Sequence, residues 1–129
     1  MIQVNIIPNK GRGIIATQDI SKGTLLEIAA VSIIPSEIRK SVQPKIEVFK
    51  YLFVQPSEYK GSKESNAYLV FGLASLCNHN REPNSFIDWV ENEIGIWSHL
   101  IAQKDIRKGE EITLFYTNID EYVDKKGFL

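Results

Sequence analysis

The chain has only one cysteine, Cys77, among its 129 residues. An intrachain disulfide is therefore excluded, and so is a zinc site built from several thiolates. Long apolar runs are also missing, since none approaches the ~18 residues of a membrane span. Residues 1–7 lack the basic start and the apolar stretch of a signal peptide. We expect a soluble intracellular protein, in the cytoplasm or the nucleus, with no metal and no membrane contact.

A large excess of charge of either sign is missing as well. Fifteen Lys and Arg residues stand against sixteen Asp and Glu residues, for a formal net charge of -1. Proteins that bind nucleic acid directly usually carry a basic excess or a basic stripe, so we expect no direct nucleic-acid contact. The length fits one domain, 1–129, and 43% hydrophobic residues suffice for an apolar core without disulfides.

Short β-branched and apolar runs, separated by turn residues, predict a mainly-β protein. Residues 25–34 form a strand-like run, after which Ser36 can start a short helix. Residues 91–93 lie between two apolar runs and predict a β-hairpin. Residues 67–77 are apolar, and within them Phe71, Leu73, Ala74, Leu76 and Cys77 favour another short helix. The remaining strand candidates are 2–7, 13–17, 51–54 and 112–116.

Two turn segments resemble each other in sequence. They are Gln18-Asp19-Ile20-Ser21-Lys22-Gly23 and Gln103-Lys104-Asp105-Ile106-Arg107-Lys108-Gly109. Two copies of a turn do not indicate a repeat protein. We interpret them as similar turn chemistry before two strands.

The segment Lys10-Gly11-Arg12-Gly13 precedes a predicted strand. Its two glycines permit positive φ angles and a close approach of the backbone to a ligand. No third glycine opens a helix, so the segment does not match a dinucleotide fingerprint, and it lacks the GK[ST] sequence of a phosphate loop. A plain hairpin turn is the alternative interpretation.

A second motif, Asn78-His79 followed by Glu82-Pro83-Asn84, ends an apolar stretch. Buried polar side chains must find hydrogen-bond partners. The side chains of Asn78, His79 and Asn84 therefore predict that a polar ligand provides some of those partners. For His79 the alternative is a structural, hydrogen-bonded histidine.

A third motif, residues 109–116, predicts a strand that closes on an exposed tyrosine. The hydroxyl of Tyr116 can serve as a fixed donor or acceptor where a buried pocket opens. An ordinary aromatic residue on a strand is the alternative. The order and separation of the three motifs predict that three distant segments converge on one ligand.

Together the motifs resemble those of the SET-domain protein lysine methyltransferases. Residues 10–13 are similar to the KGxG turn of that family, 78–84 to its NHSxxPN segment, and 109–116 to its GEELTxxY strand. The match runs from about Val4 to Tyr116, and the length resembles that of minimal viral and bacterial SET proteins. The resemblance implies a β-clip fold of small curved sheets with short helices and a knot-like carboxyl-terminal substructure. It also implies a single SET domain without pre-SET or post-SET zinc modules.

The same resemblance implies the site residues. The cofactor would be S-adenosyl-L-methionine (SAM), bound by Lys10, Gly11, Arg12, Gly13, Asn78 and His79. Tyr116 takes the place of the catalytic tyrosine. The family's post-SET cysteines are missing, and we expect the segment 117–129, with Tyr122 and Phe128, to provide an aromatic lid over the substrate channel instead. Leu114 takes a channel position where relatives often have Phe or Tyr, and its smaller size implies capacity beyond monomethylation.

The partner that the resemblance implies is a protein with a target lysine, such as a histone or another basic protein. Acidic side chains at residues 88–93 and 120–124 are candidates to attract it, and solvated surface charge is the alternative. A homodimer is one way to complete the substrate channel. A catalytically silent SET-like module that binds cofactor or peptide is the competing hypothesis, because Asn80-Arg81 replaces the family's Ser-Cys. An unrelated β-rich interaction domain is a third.

Overall fold

The computed structural model describes residues 1–40, 50–59 and 65–119. The strands are β1 (Ile2–Ile7), β2 (Gly11–Ala16), β3 (Leu25–Ile34), β4 (Leu52–Phe53), β5 (Ala67–Val70), β6 (Asn78–His79), β7 (Ser85–Asn92), β8 (Gly95–Ala102) and β9 (Glu111–Leu114). The helices are α1 (Ser36–Arg39) and a 3-10 helix (Leu73–Leu76). Within the described ranges, no helix has the length and apolarity needed to cross a membrane.

The strands form two small sheets. One has the order β1-β2-β9-β6, in which only the β6–β9 pair is parallel. The other has the order β4-β5-β3-β8-β7 and is antiparallel. Phe53 and Trp89 lie on its two edge strands, yet their ring centroids are 5.9 Å apart, so this sheet is strongly curved. The predicted class, mainly β with small curved sheets, is confirmed. Part of the carboxyl-terminal segment expected to form the knot, residues 120–129, lies outside the described residues.

Several predicted elements have the expected bounds. The strand predicted over residues 25–34 is β3, and the helix start predicted at Ser36 is that of α1. The hairpin predicted around residues 91–93 is formed by β7 and β8. These elements were predictable because each one is delimited by a local turn or proline signal.

The short helix predicted from Phe71 to Cys77 is the 3-10 helix Leu73–Leu76. The apolar residues before it, Ala67–Val70, form β5, which pairs with both β3 and β4. The backbone N–H groups of Leu73 and Ala74 donate to the carboxylate of Glu27, at 2.8 and 3.2 Å. A side chain from β3 thus satisfies the free donors at the start of the short helix.

The two similar turns lie against each other. The backbone N–H of Lys22 donates to Asp105 Oδ1 at 2.8 Å, and that of Lys108 donates to Asp19 Oδ1 at 2.9 Å. A bridge between the isoleucines at the centre of each turn completes the pair. The sequence interpretation assigned them similar chemistry but not this mutual contact. The pair holds the start of β9 beside the end of β2, where Ala16 exchanges backbone hydrogen bonds with residues 109–110.

One apolar core joins the two sheets. Ile14 of β2, Leu100 of β8 and Ile112 of β9 are completely buried in it. Ile14 is also the register partner of Ile112, so β9 is fixed between β2 and β6 by both packing and hydrogen bonds. This position of β9 sets the geometry of the site described next.

Candidate active site

The strand order places the three motifs side by side. Residues 11–13 open β2, Asn78 and His79 form β6, and β9 lies between these two strands. In the register, Asn78 is opposite Thr113, and His79 is opposite Leu114. The expected convergence of three distant segments is therefore present in one sheet.

Gly13 is the point of closest approach in this arrangement. A Cβ there would lie 2.5 Å from Ile7 Cγ1, 2.8 Å from Asn78 Nδ2 and 3.0 Å from Glu111 Oε2. Contacts this short are not tolerated in a close-packed interior. Gly11 has a different role, because its φ of +80° is a left-handed conformation that favours glycine. Gly11 therefore turns the chain, whereas Gly13 leaves room for a pair of polar side chains.

The side-chain amide of Asn78 has a fixed orientation. Its Nδ2 donates to Glu111 Oε2 at 2.6 Å and, over a longer distance of 3.4 Å, to the carbonyl oxygen of Arg12. Both neighbours can only accept hydrogen bonds, so the NH2 group must face them. Oδ1 faces away and has no hydrogen-bond partner among the residues that the structure describes. We call Gly13, Asn78, His79 and Glu111 the polar corner.

His79 is buried, with 1% of its surface exposed, and it holds Tyr116. Its Nδ1 accepts a hydrogen bond from the backbone N–H of Tyr116 at 2.8 Å. Burial lowers the pKa of His79, and the charges of Lys10 and Arg81 lower it further. The ring is therefore neutral near pH 7, with its proton on Nε2. This arrangement agrees with the interpretation of His79 as a structural, hydrogen-bonded histidine.

Tyr116 is buried rather than exposed, which corrects the sequence prediction. Strand β9 ends at Leu114, and Tyr116, two residues further on, is only 8% exposed. Its hydroxyl donates to the carbonyl oxygen of Cys77 at 2.5 Å. The hydrogen bonds of the backbone N–H to His79 and of the hydroxyl to Cys77 draw the residue inward. Both ends of the tyrosine are thus fixed by the segment around β6.

Tyr116 borders a cavity of about 210 Å³. Its walls are mostly apolar and include Phe53, Ile87, Trp89, Leu114, Phe115 and Tyr116. The ring of Phe53 meets that of Trp89 edge to face at 5.9 Å and that of Tyr116 at 6.4 Å, measured between centroids. We call this space the aromatic cavity. Leu114, an expected channel residue, lies in its wall.

Sequence reasoning missed Phe53, Trp89 and Glu111 as site residues. In the structure Ser85, Ile87 and Trp89 lie on the more buried face of β7, but Phe86 and Val90 on the other face are also apolar, so the sequence does not single out Trp89. Phe53 lay in a predicted strand, but nothing local indicates that this strand reaches Tyr116. Nothing in the third motif distinguishes Glu111 from the glutamate beside it.

The chain also matches a known protein family. The family model described as the SET domain matches residues 11–117, most of the chain. The chain belongs to the SET-domain family. This agrees with the fold and with the three motifs that form the polar corner.

Other proteins are similar to the chain in sequence, and solved structures are similar to it in fold. The chain is 32% identical, over 88% of its length, to a protein of Debaryomyces hansenii named "Histone-lysine N-methyltransferase, H3 lysine-36 specific". It is also 32% identical, over 88% of its length, to the protein of the same name from Saccharomyces cerevisiae. The chain spans 15% of the length of each of these relatives. The Neurospora SET domain protein DIM-5, a histone lysine methyltransferase, shares the fold with a TM-score of 0.68 at 22% identity, over 89% of this chain and 51% of that one.

Asn84, in the second SET motif, is satisfied by the protein itself. Its Nδ2 donates to the carbonyl oxygen of Glu111 at 2.8 Å, and its Oδ1 accepts from the backbone N–H of Thr113 at 2.9 Å. The side chain therefore hydrogen-bonds to β9 much as a neighbouring strand would. The expectation that a ligand satisfies Asn84 is wrong, because the backbone of β9 already does so.

The other residues singled out in this SET domain have simpler surroundings. Arg12 is exposed, and its Nη2 donates to the hydroxyl of Tyr51 at 3.3 Å. Burial raises the pKa of the Cys77 thiol, which keeps it protonated and unreactive. Tyr122 lies outside the described residues. The described ranges contain no group of three His, Cys, Asp or Glu side chains that could hold a metal ion.

Proposed function

We propose that this SET-domain protein transfers methyl groups from SAM to the ε-amino group of a lysine in a protein substrate. The position of Tyr116 carries the proposal: its hydroxyl is fixed by Cys77 beside β6, while the same residue borders the aromatic cavity. A residue held between a polar corner and an apolar cavity can align two reactants that arrive from different sides. Methyl transfer is an in-line displacement, for which alignment is the main requirement.

The residues proposed to bind SAM are Lys10, Gly11, Arg12, Gly13, Asn78 and His79. The orientation of Asn78 fits this assignment, since Oδ1 is an acceptor without a partner among the described residues. Such an oxygen suits a positively charged amino group like that of SAM. When bound, SAM supplies a methyl group on a positively charged sulfur. The contribution of the chain is to fix the cofactor's amino-acid end and to keep Tyr116 in place.

The aromatic cavity is the proposed channel for the lysine side chain. Its apolar wall suits the four methylene groups of lysine, and the rings of Phe53 and Trp89 can stabilise the cation at the end. The reacting amine must be neutral, whereas a lysine with a pKa near 10.4 is about 99.9% protonated at pH 7. The described part of the lining has no carboxylate to act as a base. We infer that the positive charge on the SAM sulfur and partial desolvation in the cavity lower the pKa of the lysine, that the proton is lost to solvent, and that Tyr116 acts by positioning.

The proposed substrate is a basic protein, and a histone is one candidate because the curated relatives are named histone-lysine N-methyltransferases. Asp88, Glu91 and Glu93 are exposed on the β7–β8 hairpin and can attract a basic peptide. Solvated surface charge is still the alternative for these side chains. The homodimer and the single-domain organisation over 1–129 stay predictions.

The experiment that tests the proposal is transfer of labelled methyl from SAM to a panel of basic proteins. Tyr116→Phe is expected to lower turnover by about 10²- to 10³-fold, with SAM affinity changed less than about threefold. The matched control is Tyr68→Phe. The Tyr68 hydroxyl also makes a hydrogen bond, which is partly buried, to Glu58 Oε2 at 2.6 Å, but Tyr68 does not line the cavity.

The outcomes separate the hypotheses. Label on lysine that depends on Tyr116 and not on Tyr68 supports the enzyme. SAM binding without transfer to any protein in the panel favours the catalytically silent module. Neither binding nor transfer overturns the proposal, and normal turnover of Tyr116→Phe overturns the role of the hydroxyl.

A further inference from the structure

We infer that Glu111 is a positioning residue: it fixes the Asn78 amide, and with it the acceptor that the polar corner offers to the amino-acid end of the cofactor. The inference rests on the function proposed above. It goes beyond that function because Glu111 need not touch the cofactor. Glu111 acts instead by deciding which side of the Asn78 amide is available for binding.

The hydrogen bond between the two side chains is the first support. A carboxylate oxygen 2.6 Å from Asn78 Nδ2 makes a charge-assisted hydrogen bond, which is stronger than a bond between neutral groups. The second acceptor, the carbonyl oxygen of Arg12, is 3.4 Å away and contributes less. The two ends of an asparagine amide have nearly the same shape. Without Glu111, little would distinguish the observed orientation from the flipped one.

The surroundings hold Glu111 in place for this role. Its backbone pairs with β2, where it is opposite Ile15, and its carbonyl oxygen accepts from Asn84 Nδ2 at 2.8 Å. A Cβ on Gly13 would come within 3.0 Å of both Asn78 Nδ2 and Glu111 Oε2. Because residue 13 of β2 is a glycine, there is space at this position for the side chains of Asn78 and Glu111.

The orientation has a consequence that depends on the ligand. In the observed orientation the free end of the amide is an acceptor, which attracts an ammonium group, whereas the flipped amide would present a donor. The affinity for a ligand that has the amino-acid end should therefore depend on Glu111. The affinity for a ligand that shares the adenosine and the thioether but lacks that end should not.

Two small molecules make this distinction directly. S-adenosylhomocysteine carries the amino-acid end, and 5′-methylthioadenosine lacks it. Dissociation constants for both would be measured by calorimetry on the wild type, Glu111→Ala, Glu111→Gln and Glu110→Gln. Glu110→Gln is the matched control, because the side chain of Glu110 accepts from the backbone N–H of Arg107 in an exposed turn.

We expect Glu111→Ala to weaken S-adenosylhomocysteine binding about tenfold and 5′-methylthioadenosine binding less than twofold, as fits the loss of one charge-assisted hydrogen bond. Glu111→Gln keeps an acceptor oxygen, so its loss should stay below about threefold. Glu110→Gln should match the wild type with both ligands. Equal losses for the two ligands, or no loss for S-adenosylhomocysteine, would overturn the inference.

Glu111→Asp keeps the test decisive if Glu111→Ala does not fold. It retains the charge but withdraws the carboxylate from Asn78 Nδ2 by one methylene group, so S-adenosylhomocysteine should bind about threefold more weakly while 5′-methylthioadenosine binds as it does to the wild type. Equal affinity changes for the two ligands in folded Glu111→Asp, including no change for either, would count against the inference. Failure of the wild type to bind S-adenosylhomocysteine would instead remove the proposed function itself.

Discussion

The polar corner and the aromatic cavity meet at Tyr116, but they are built differently. The corner comes from β2, β6 and β9, which are neighbours in one sheet, and its side chains hold one another by directional hydrogen bonds. The cavity comes from β4 and β7, at opposite edges of the other sheet, and from the segment after β9. Its rings meet through apolar contacts. Hydrogen bonds require particular residue types, whereas apolar contacts tolerate many, so only the corner leaves a motif in the sequence.

The largest effect on stability that we expect comes from Gly13→Ala, which changes the polar corner and leaves the aromatic cavity as it is. The added Cβ would lie 2.5 Å from Ile7 Cγ1 and 2.8 Å from Asn78 Nδ2, so these side chains must shift. We expect a loss of about 1–3 kcal/mol in the free energy of unfolding, together with weaker SAM binding. Urea unfolding and calorimetry measure the two quantities.

Gly23→Ala is the control for that variant. Gly23 has a φ of +88°, but a Cβ there would meet nothing within 4 Å. It should therefore cost about 1 kcal/mol of backbone strain and leave SAM affinity unchanged. If Gly13→Ala bound SAM as well as Gly23→Ala does, the corner would not be the cofactor site.

The same contrast explains how much the sequence could predict. The motifs around Gly13, Asn78 and Tyr116 were found because each combines unusual residue types at a strand end. That Asn84 bonds to β9, and that Tyr116 is buried, follow from pairings between segments far apart in the chain. The place of Phe53 beside Tyr116 requires a curved sheet, and no local pattern specifies that curvature.

Leu114→Phe tests the aromatic cavity. Leu114 is 3% exposed and lines the cavity, so a larger ring there must reduce the space for a methylated amine. We expect the wild type to produce di- or trimethyl-lysine and the variant to stop at monomethyl-lysine, with SAM affinity unchanged. Mass spectrometry of the product at saturating SAM measures this.

Leu114→Ile is the volume-conserving control and should retain the product pattern of the wild type. A wild type that makes only monomethyl-lysine would contradict the prediction. It would also mean that residues outside this wall limit the channel.

The smallest effect that we expect is a dependence of the free energy of unfolding on pH, caused by His79 of the polar corner. Burial lowers the pKa of His79 in the folded state below its ordinary value of 6.5. Below pH 6.5 the unfolded chain therefore binds a proton that the folded chain resists, so stability is fully present above that pH and falls as the pH drops through it. Urea unfolding at several values between about pH 5.5 and 7.5 should show this loss.

His79→Gln should flatten the slope, because the group that resists protonation is gone. Protonation of Nδ1 also removes the acceptor for the Tyr116 N–H, while the contact between Phe53 and Trp89 involves no titrating group. Lowering the pH should therefore weaken the hydrogen bond between His79 and the backbone of Tyr116 before it affects the packing of the aromatic cavity. A wild type whose stability is flat over this range, or a slope that persists in His79→Gln, would show that His79 is not the source of the pH dependence.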